Sequence, residues 1–204
     1  MLKSRLDTER VDEKLSLFSR LGLHPNAWSF IALLLAFVGF LSLCIHKLPA
    51  GIVFFVLSGF IDMVDGAVAR ATGTVSTVGA FIDGVLDRYV EVLLILGLMV
   101  YLGEGVDLIV PVKYWIVLLV FGSVMTSFVR AYADHRGLVK DKQMLKEMGG
   151  VMERAERLIL LYVGMIGGIY SQLWLVGCIM LAAILSNATA VQRIFLAIRY
   201  GKRM

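Results

Sequence analysis

The sequence predicts an all-α integral membrane protein, with six transmembrane helices preceded by an N-terminal interfacial amphipathic helix and both termini cytoplasmic. Three observations predict it. The 204-residue chain is 59% hydrophobic, with a mean hydropathy of +0.82, which is too apolar for an ordinary soluble domain. Uncharged runs recur along it, among them Trp28–Ile45, Gly51–Ile61, Val92–Gly103 and Tyr114–Val129. With six spans, only Lys47 and Lys113 of the 20 basic residues fall on the outer side. That one-sided division is what cytoplasmic enrichment in Lys and Arg demands, and five or seven spans would spoil it.

The elements follow in order. Within residues 1–22, Val11, Leu15, Phe18 and Leu21 recur at helical spacing, with Arg10, Lys14 and Arg20 on the polar side. Such a helix lies in the inner membrane interface, and Gly22 ends it. The turn His24-Pro25-Asn26-Ala27 leads into the first span, since proline suits the first turn of a helix. Spans are expected at roughly 28–47, 50–72, 77–102, 108–135, 150–170 and 173–196. The last two share the uncharged stretch Leu158–Gln192, 35 residues long. As one helix it would reach about 50 Å, against a hydrocarbon core of about 30 Å. It must fold back, and Tyr170-Ser171-Gln172 is the polar place to do so. Arg136–Gly150 is the one sizeable soluble loop, and the chain reads as a single domain over residues 1–204. The first span starts too late, and without a small-residue cleavage site, for a removed signal peptide.

The net charge of +4 is thus a one-sided surface charge facing lipid headgroups or anionic cytosolic substrates. It is not a nucleic-acid footprint. Cys44 and Cys178 both fall within spans, so neither a disulfide framework nor a zinc site is expected.

Four carboxylates break the apolar pattern. Asp62 and Asp65 lie in the second span, Asp83 and Asp87 in the third. Each ionised group within a span costs ~2.5–3.5 kcal/mol on insertion scales, so four cost on the order of 10 kcal/mol uncompensated. Spacings of i, i+3 and i, i+4 put each pair on one helical face. The short turn near Gly73–Thr77 makes the two helices antiparallel neighbours, so the pairs face each other near the cytoplasmic end. Cations among them would relieve the repulsion. Hard oxygen donors point to Mg²⁺, Mn²⁺ or Ca²⁺, and ligands shared with a substrate phosphate favour Mg²⁺. Gly66, Ala67, Ala69, Gly73, Gly79, Ala80 and Gly84 strip bulk from the same two helices, allowing close approach or clearing space for a ligand. Arg70, one to two turns nearer the cytoplasm, is suited to clamp a phosphate. A proton-relay or ion pathway in a transporter is the reading from a different class.

The run Asp62-x2-Asp65-Gly66-x2-Ala69-Arg70-x8-Gly79-x3-Asp83-x3-Asp87 resembles the signature of the CDP-alcohol phosphotransferases without a departure. The resemblance implies two divalent ions, Mg²⁺ with Mn²⁺ as the alternative, held by Asp62, Asp65, Asp83 and Asp87. It implies that Asp87 is also the catalytic base, deprotonating the acceptor hydroxyl. Gly66, Arg70, Ser76 and Gly79 resemble the positions that receive the CDP portion of the donor, with Pro25 and Asn26 in the turn that closes over it. The acceptor hydroxyl then attacks the β-phosphorus and CMP leaves.

A second set of residues bears on the acceptor. Arg130 ends the fourth span, Arg154 and Arg157 open the fifth, and Arg193 closes the sixth. They resemble the phosphatidylinositol-phosphate synthase branch and its archaeal counterpart, the archaetidylinositol-phosphate synthases, in which such arginines receive the phosphate of inositol phosphate. The position matching Arg130 is often Lys there, which keeps the charge and changes the geometry. Two plainer readings stand beside this one: arginines obeying the positive-inside rule, and a Glu153–Arg157 surface ion pair. Phosphatidylglycerophosphate synthase and di-inositol phosphate phosphate synthase are the rival activities within the family. The resemblance further implies a multi-pass cell-membrane enzyme with a cytoplasmic active site, a CDP-linked lipid entering from the inner leaflet, and a homodimer. The uncharged small-residue face Gly164–Gly168 is the sequence's own support for pairing.

Overall fold

The computed structural model describes residues 25–103, 109–139 and 141–202. The expected interfacial helix over 1–22, and the side chains of Pro25 and Asn26, lie outside the described residues. Helices are the only regular elements among the described residues: α1 (Pro25–Cys44), α2 (Leu48–Ala71), α3 (Thr77–Leu102), α4 (Val112–His135), α5 (Lys142–Glu147), α6 (Arg154–Gly168) and α7 (Gln172–Gly201). Each expected span has its helix, and α3 has the expected bounds. The short α5 falls within the expected loop, and α7 runs five residues past its expected end at 196.

Among the described residues, four helices are long and apolar enough to cross a membrane: α1 over Ala27–Cys44, α2, α4 and α7. The other two expected spans differ for separate reasons. Helix α3 has the length, 26 residues, but carries Asp83, Asp87, Arg88 and Glu91. Helix α6 has 15 residues, about 23 Å of rise against a hydrocarbon core of about 30 Å.

The chain divides into two compact units, Met1–Tyr101 and Leu102–Met204. In the first, α1 and α2 form a hairpin. Its turn places His46 in the left-handed region at φ 57, and a proline starts α2, where its missing N–H costs nothing. The helices approach closely because small residues meet large ones. Phe55 packs on Gly39, and Leu43 fills the notches at Gly51 and Gly97. Ser58 Oγ adds a cross-helix bond by donating to the Ala32 carbonyl at 2.7 Å. Where the start of α1 meets the end of α2, Trp28, Val64, Ala67 and Val68 form a buried apolar cluster.

The second unit packs α4 and α6 against α7. Asn187 Nδ2 donates to the Leu118 carbonyl at 2.9 Å and to Ala183 at 2.8 Å, across the notch that Gly122 leaves. Cys178 sits against Gly164 and Trp174 against Gly167. The small-residue face expected to serve pairing between chains is therefore occupied within the chain, closing the α6–α7 hairpin. That hairpin turns where expected, with Ser171 as the N-cap of α7.

Candidate functional site

The site in the first unit begins with a turn. Thr72 is the C-cap of α2, and Gly73 follows at φ 66. Thr74 N–H donates to the Ala69 carbonyl at 3.1 Å and Gly73 N–H to Arg70 at 3.4 Å, the paired bonds of a Schellman ending. Only glycine adopts that conformation at no steric cost. Ser76 then caps α3, its Oγ accepting the Gly79 N–H at 3.0 Å. So Ser76, expected as a contact for CDP, also has a local structural task. The chain reverses within a few residues and enters α3 at Thr77.

That reversal brings the carboxylates together. Oxygens of Asp62, Asp83 and Asp87 lie within 4.8 Å of one another, all three residues half-buried. Asp65 stands outside this group. It is 6% exposed, and its Oδ2 accepts a hydrogen bond from Ser29 Oγ on α1 at 2.5 Å. Beside Asp87, Arg88 Nη1 lies 3.6 Å from its Oδ2. Three carboxylates this close in a half-buried setting repel one another strongly, and hard oxygen donors suit a divalent cation. The residues present fit such an ion.

A cleft of about 270 Å³ opens next to them, and its lining includes Asp65, Gly66, Arg70, Ser76, Gly79 and Asp83. Four of the six residues expected to contact CDP thus line one cleft together with two of the aspartates. Gly66 has a specific reason to be small, because a Cβ there would stand 3.1 Å from Arg70 Nη1. The guanidinium folds back over the glycine, toward the cleft. Ser29, Ala69, Thr74, Val75 and Ala80 also line it; the two alanines were expected to clear space there, whereas sequence reasoning missed Ser29, Thr74 and Val75. Ala69 and Ala80 share the small-residue pattern, whereas nothing local in the sequence sets Ser29 apart.

The arginines of the second unit are a different kind of group. Arg157 is 2% exposed and Arg193 is 5% exposed. Arg157 Nη2 donates to Ser123 Oγ at 3.1 Å. Arg193 donates to the Thr126 carbonyl at 2.6 Å, to the Gly149 carbonyl at 3.4 Å and to Glu153 Oε1 at 3.3 Å. Glu153 is the N-cap of α6, and its N–H is bonded to the Glu156 carboxylate at 2.9 Å. Arginines buried this deeply, Arg157 on a hydroxyl and Arg193 on two carbonyls and a carboxylate, are neither lipid-facing positive-inside charges nor members of an exposed surface pair. They tie α7 and α6 to α4 and to the strand of chain before α6. Ser123, Thr126 and Gly149 are partners that sequence reasoning did not identify, and Glu153, weighed there as a partner of Arg157, bonds Arg193.

The profile of the CDP-alcohol phosphatidyltransferase family matches residues 22–192. The archaetidylinositol phosphate synthase of Pyrococcus horikoshii is 31% identical over 201 residues, 95% of this chain and 92% of that one. The archaetidylinositol phosphate synthase of Methanothermobacter thermautotrophicus is 32% identical over 148 residues, 72% of this chain and 69% of that one. Among solved structures, Mycobacterium tuberculosis phosphatidylinositol phosphate synthase in complex with manganese and citrate superposes with a TM-score of 0.78 at 26% identity, over 93% of this chain and 88% of that one. The same enzyme with CDP-DAG bound gives 0.77, over 94% and 93%.

Proposed function

The chain belongs to the CDP-alcohol phosphatidyltransferase family, and from that premise we propose that it transfers a phosphatidyl-type group, archaetidyl in particular, from a CDP-linked lipid to inositol phosphate with release of CMP. It is an enzyme of phospholipid synthesis, so the ion-pathway reading of its carboxylates is set aside. The observation that carries the donor side is the single cleft lined by Asp65, Gly66, Arg70, Ser76, Gly79 and Asp83 beside the grouped carboxylates. The choice of inositol phosphate rests on likeness to the archaetidylinositol phosphate synthases over nearly the whole chain.

In this reading Arg70 holds the donor's pyrophosphate by charge-assisted bonds, and the clearance at Gly66 and Gly79 lets it approach the backbone. Asp62, Asp65, Asp83 and Asp87 hold the divalent ions, Mg²⁺ or Mn²⁺, as a pair. When bound, they neutralise charge on the pyrophosphate and the departing oxygen. Asp87 accepts the proton of the acceptor hydroxyl as that oxygen forms its bond to the β-phosphorus. The bond from the β-phosphorus to the CMP oxygen breaks, and CMP carries away the electron pair. A carboxylate is a weak base, so positioning supplies much of the rate. Arg130, Arg154, Arg157 and Arg193 are the acceptor-phosphate set, with Arg157 and Arg193 acting from buried, braced positions. We place the protein in the cell membrane as a six-span homodimer with both termini and the active site cytoplasmic.

The test is a product assay on purified protein. CDP-archaeol or CDP-diacylglycerol is offered with inositol phosphate, inositol, glycerol-3-phosphate or serine, and a further arm pairs CDP-inositol with inositol phosphate. Lipid product of the inositol phosphate mass, lost in Asp87→Asn, is the expected result. Product only with glycerol-3-phosphate, or only from CDP-inositol, would give the activity to one of the family's other branches. CMP release undiminished in Asp83→Asn/Asp87→Asn would remove the site itself.

A further inference from the structure

Hydroxyl side chains within apolar helices usually satisfy themselves by bonding back to a carbonyl one turn earlier. Ser42 does so to Val38 at 2.8 Å, and Thr72 to Val68 and Thr189 to Leu185 at the same distance. Ser29 departs from this habit. Its Oγ crosses from α1 to α2 and donates to Asp65 Oδ2 at 2.5 Å, a contact between residues 36 apart in sequence.

The surroundings make that bond rigid. Ser29 is 7% exposed and Asp65 6%. Their chain neighbours Trp28 and Val64 belong to one buried apolar cluster with Ala67 and Val68. The hydroxyl is delivered by two helices locked together by packing, in a medium where an unpaired carboxylate oxygen is costly. Both side chains also line the cleft with Arg70 and Asp83, so the bond lies at the wall of the site.

We propose that Ser29 is a positioning residue: its hydroxyl fixes the rotation of the Asp65 carboxylate and thereby sets the affinity of the divalent-cation site. The inference rests on the reading of Asp65 as a metal ligand given above. Hydrogen bonds to ligating groups fix their orientation and basicity, and losing one typically costs 10–100-fold in metal affinity. Ser29 acts on the cation site through Asp65, the group to which its hydroxyl is bonded.

The experiment measures Mn²⁺ binding to purified full-length protein by electron paramagnetic resonance, with no substrate present. Ser29→Ala is expected to weaken Mn²⁺ binding about tenfold, and Ser29→Thr, which keeps the hydroxyl, to restore most of it. In an Asp65→Asn background, Ser29→Ala should have no further effect, since the group it acts through is gone. Thermal unfolding of each variant shows that the fold is retained. Wild-type affinity in Ser29→Ala overturns the inference alone. So does an undiminished Ser29→Ala effect in the Asp65→Asn background, which would mean packing and not the carboxylate. A wild-type protein that binds no Mn²⁺ overturns both this inference and the metal site beneath it.

Discussion

Arg193→Ala removes three hydrogen bonds from the second unit at once, and the structure allows the loss to be worked out. The guanidinium reaches the Thr126 carbonyl at 2.6 Å, the Gly149 carbonyl at 3.4 Å and Glu153 Oε1 at 3.3 Å. Bonds from a charged donor contribute about 1.5–3 kcal/mol each in favourable geometry. Only the first of the three is short. The Glu153 side chain is 36% exposed, so the ionic part of the third is screened by solvent. The sum is on the order of 4 kcal/mol, within the range found when one member of a buried pair is deleted. SDS titration in mixed micelles, followed by the fluorescence of Trp115 and Trp174 in a Trp28→Phe background, reads this unit. Arg193→Lys should recover about half, because an ammonium is a point charge that cannot span three acceptors. Stability of Arg193→Ala within about 0.5 kcal/mol of wild type, the level of an ordinary surface substitution, would refute the bracing role.

Further outcomes follow from other contacts. Gly150→Ala sets a Cβ onto the Thr189 side chain, whose Oγ1 accepts the Met152 N–H at 2.9 Å. Overpacking and the lost bond together should cost about 3 kcal/mol in the same titration. Ser76→Ala deletes the cap on α3 and should cost about 1 kcal/mol while raising KM for the CDP-linked donor; an unchanged KM would leave Ser76 a cap only. Gly73→Ala forces a β-carbon into the left-handed region at φ 66 and should destabilise the first unit by about 1–2 kcal/mol, read by thermal unfolding. Chelation with EDTA should abolish CMP release and Mg²⁺ or Mn²⁺ should restore it; turnover that survives chelation would remove the metal from the reaction.

Much of the architecture was legible in the chain itself, because the signals that carry it are local. Apolar runs marked each helix, and α3 came out with its expected bounds because Ser76 and the glycine turn before it are written in consecutive residues. Spacings of three and four set the aspartates on shared faces, and the short turn after α2 set those faces opposite each other. The spacing of Asp62, Asp65, Gly66, Arg70, Gly79, Asp83 and Asp87 was specific enough to indicate the family before any fold was known. Helices α3 and α6 are the two expected spans that depart from the pattern, one interrupted by charge and the other only 15 residues long.

Tertiary structure decided which groups meet across long separations. Sequence treats the four aspartates as two equivalent pairs, whereas packing of α1 on α2 gives Asp65 a hydroxyl from 36 residues away and leaves the other three grouped. Sequence counts Arg157 and Arg193 as cytoplasmic charge, whereas packing buries them, Arg157 against Ser123 and Arg193 against the carbonyls of Thr126 and Gly149. The Gly164–Gly168 face offers close approach to any helix, and only the α6–α7 hairpin shows that Cys178 and Trp174 take it. The physical reason is the same throughout. Helical periodicity and turn chemistry act over three to five residues, while a hydrogen bond between helices depends on where two separate backbones come to rest.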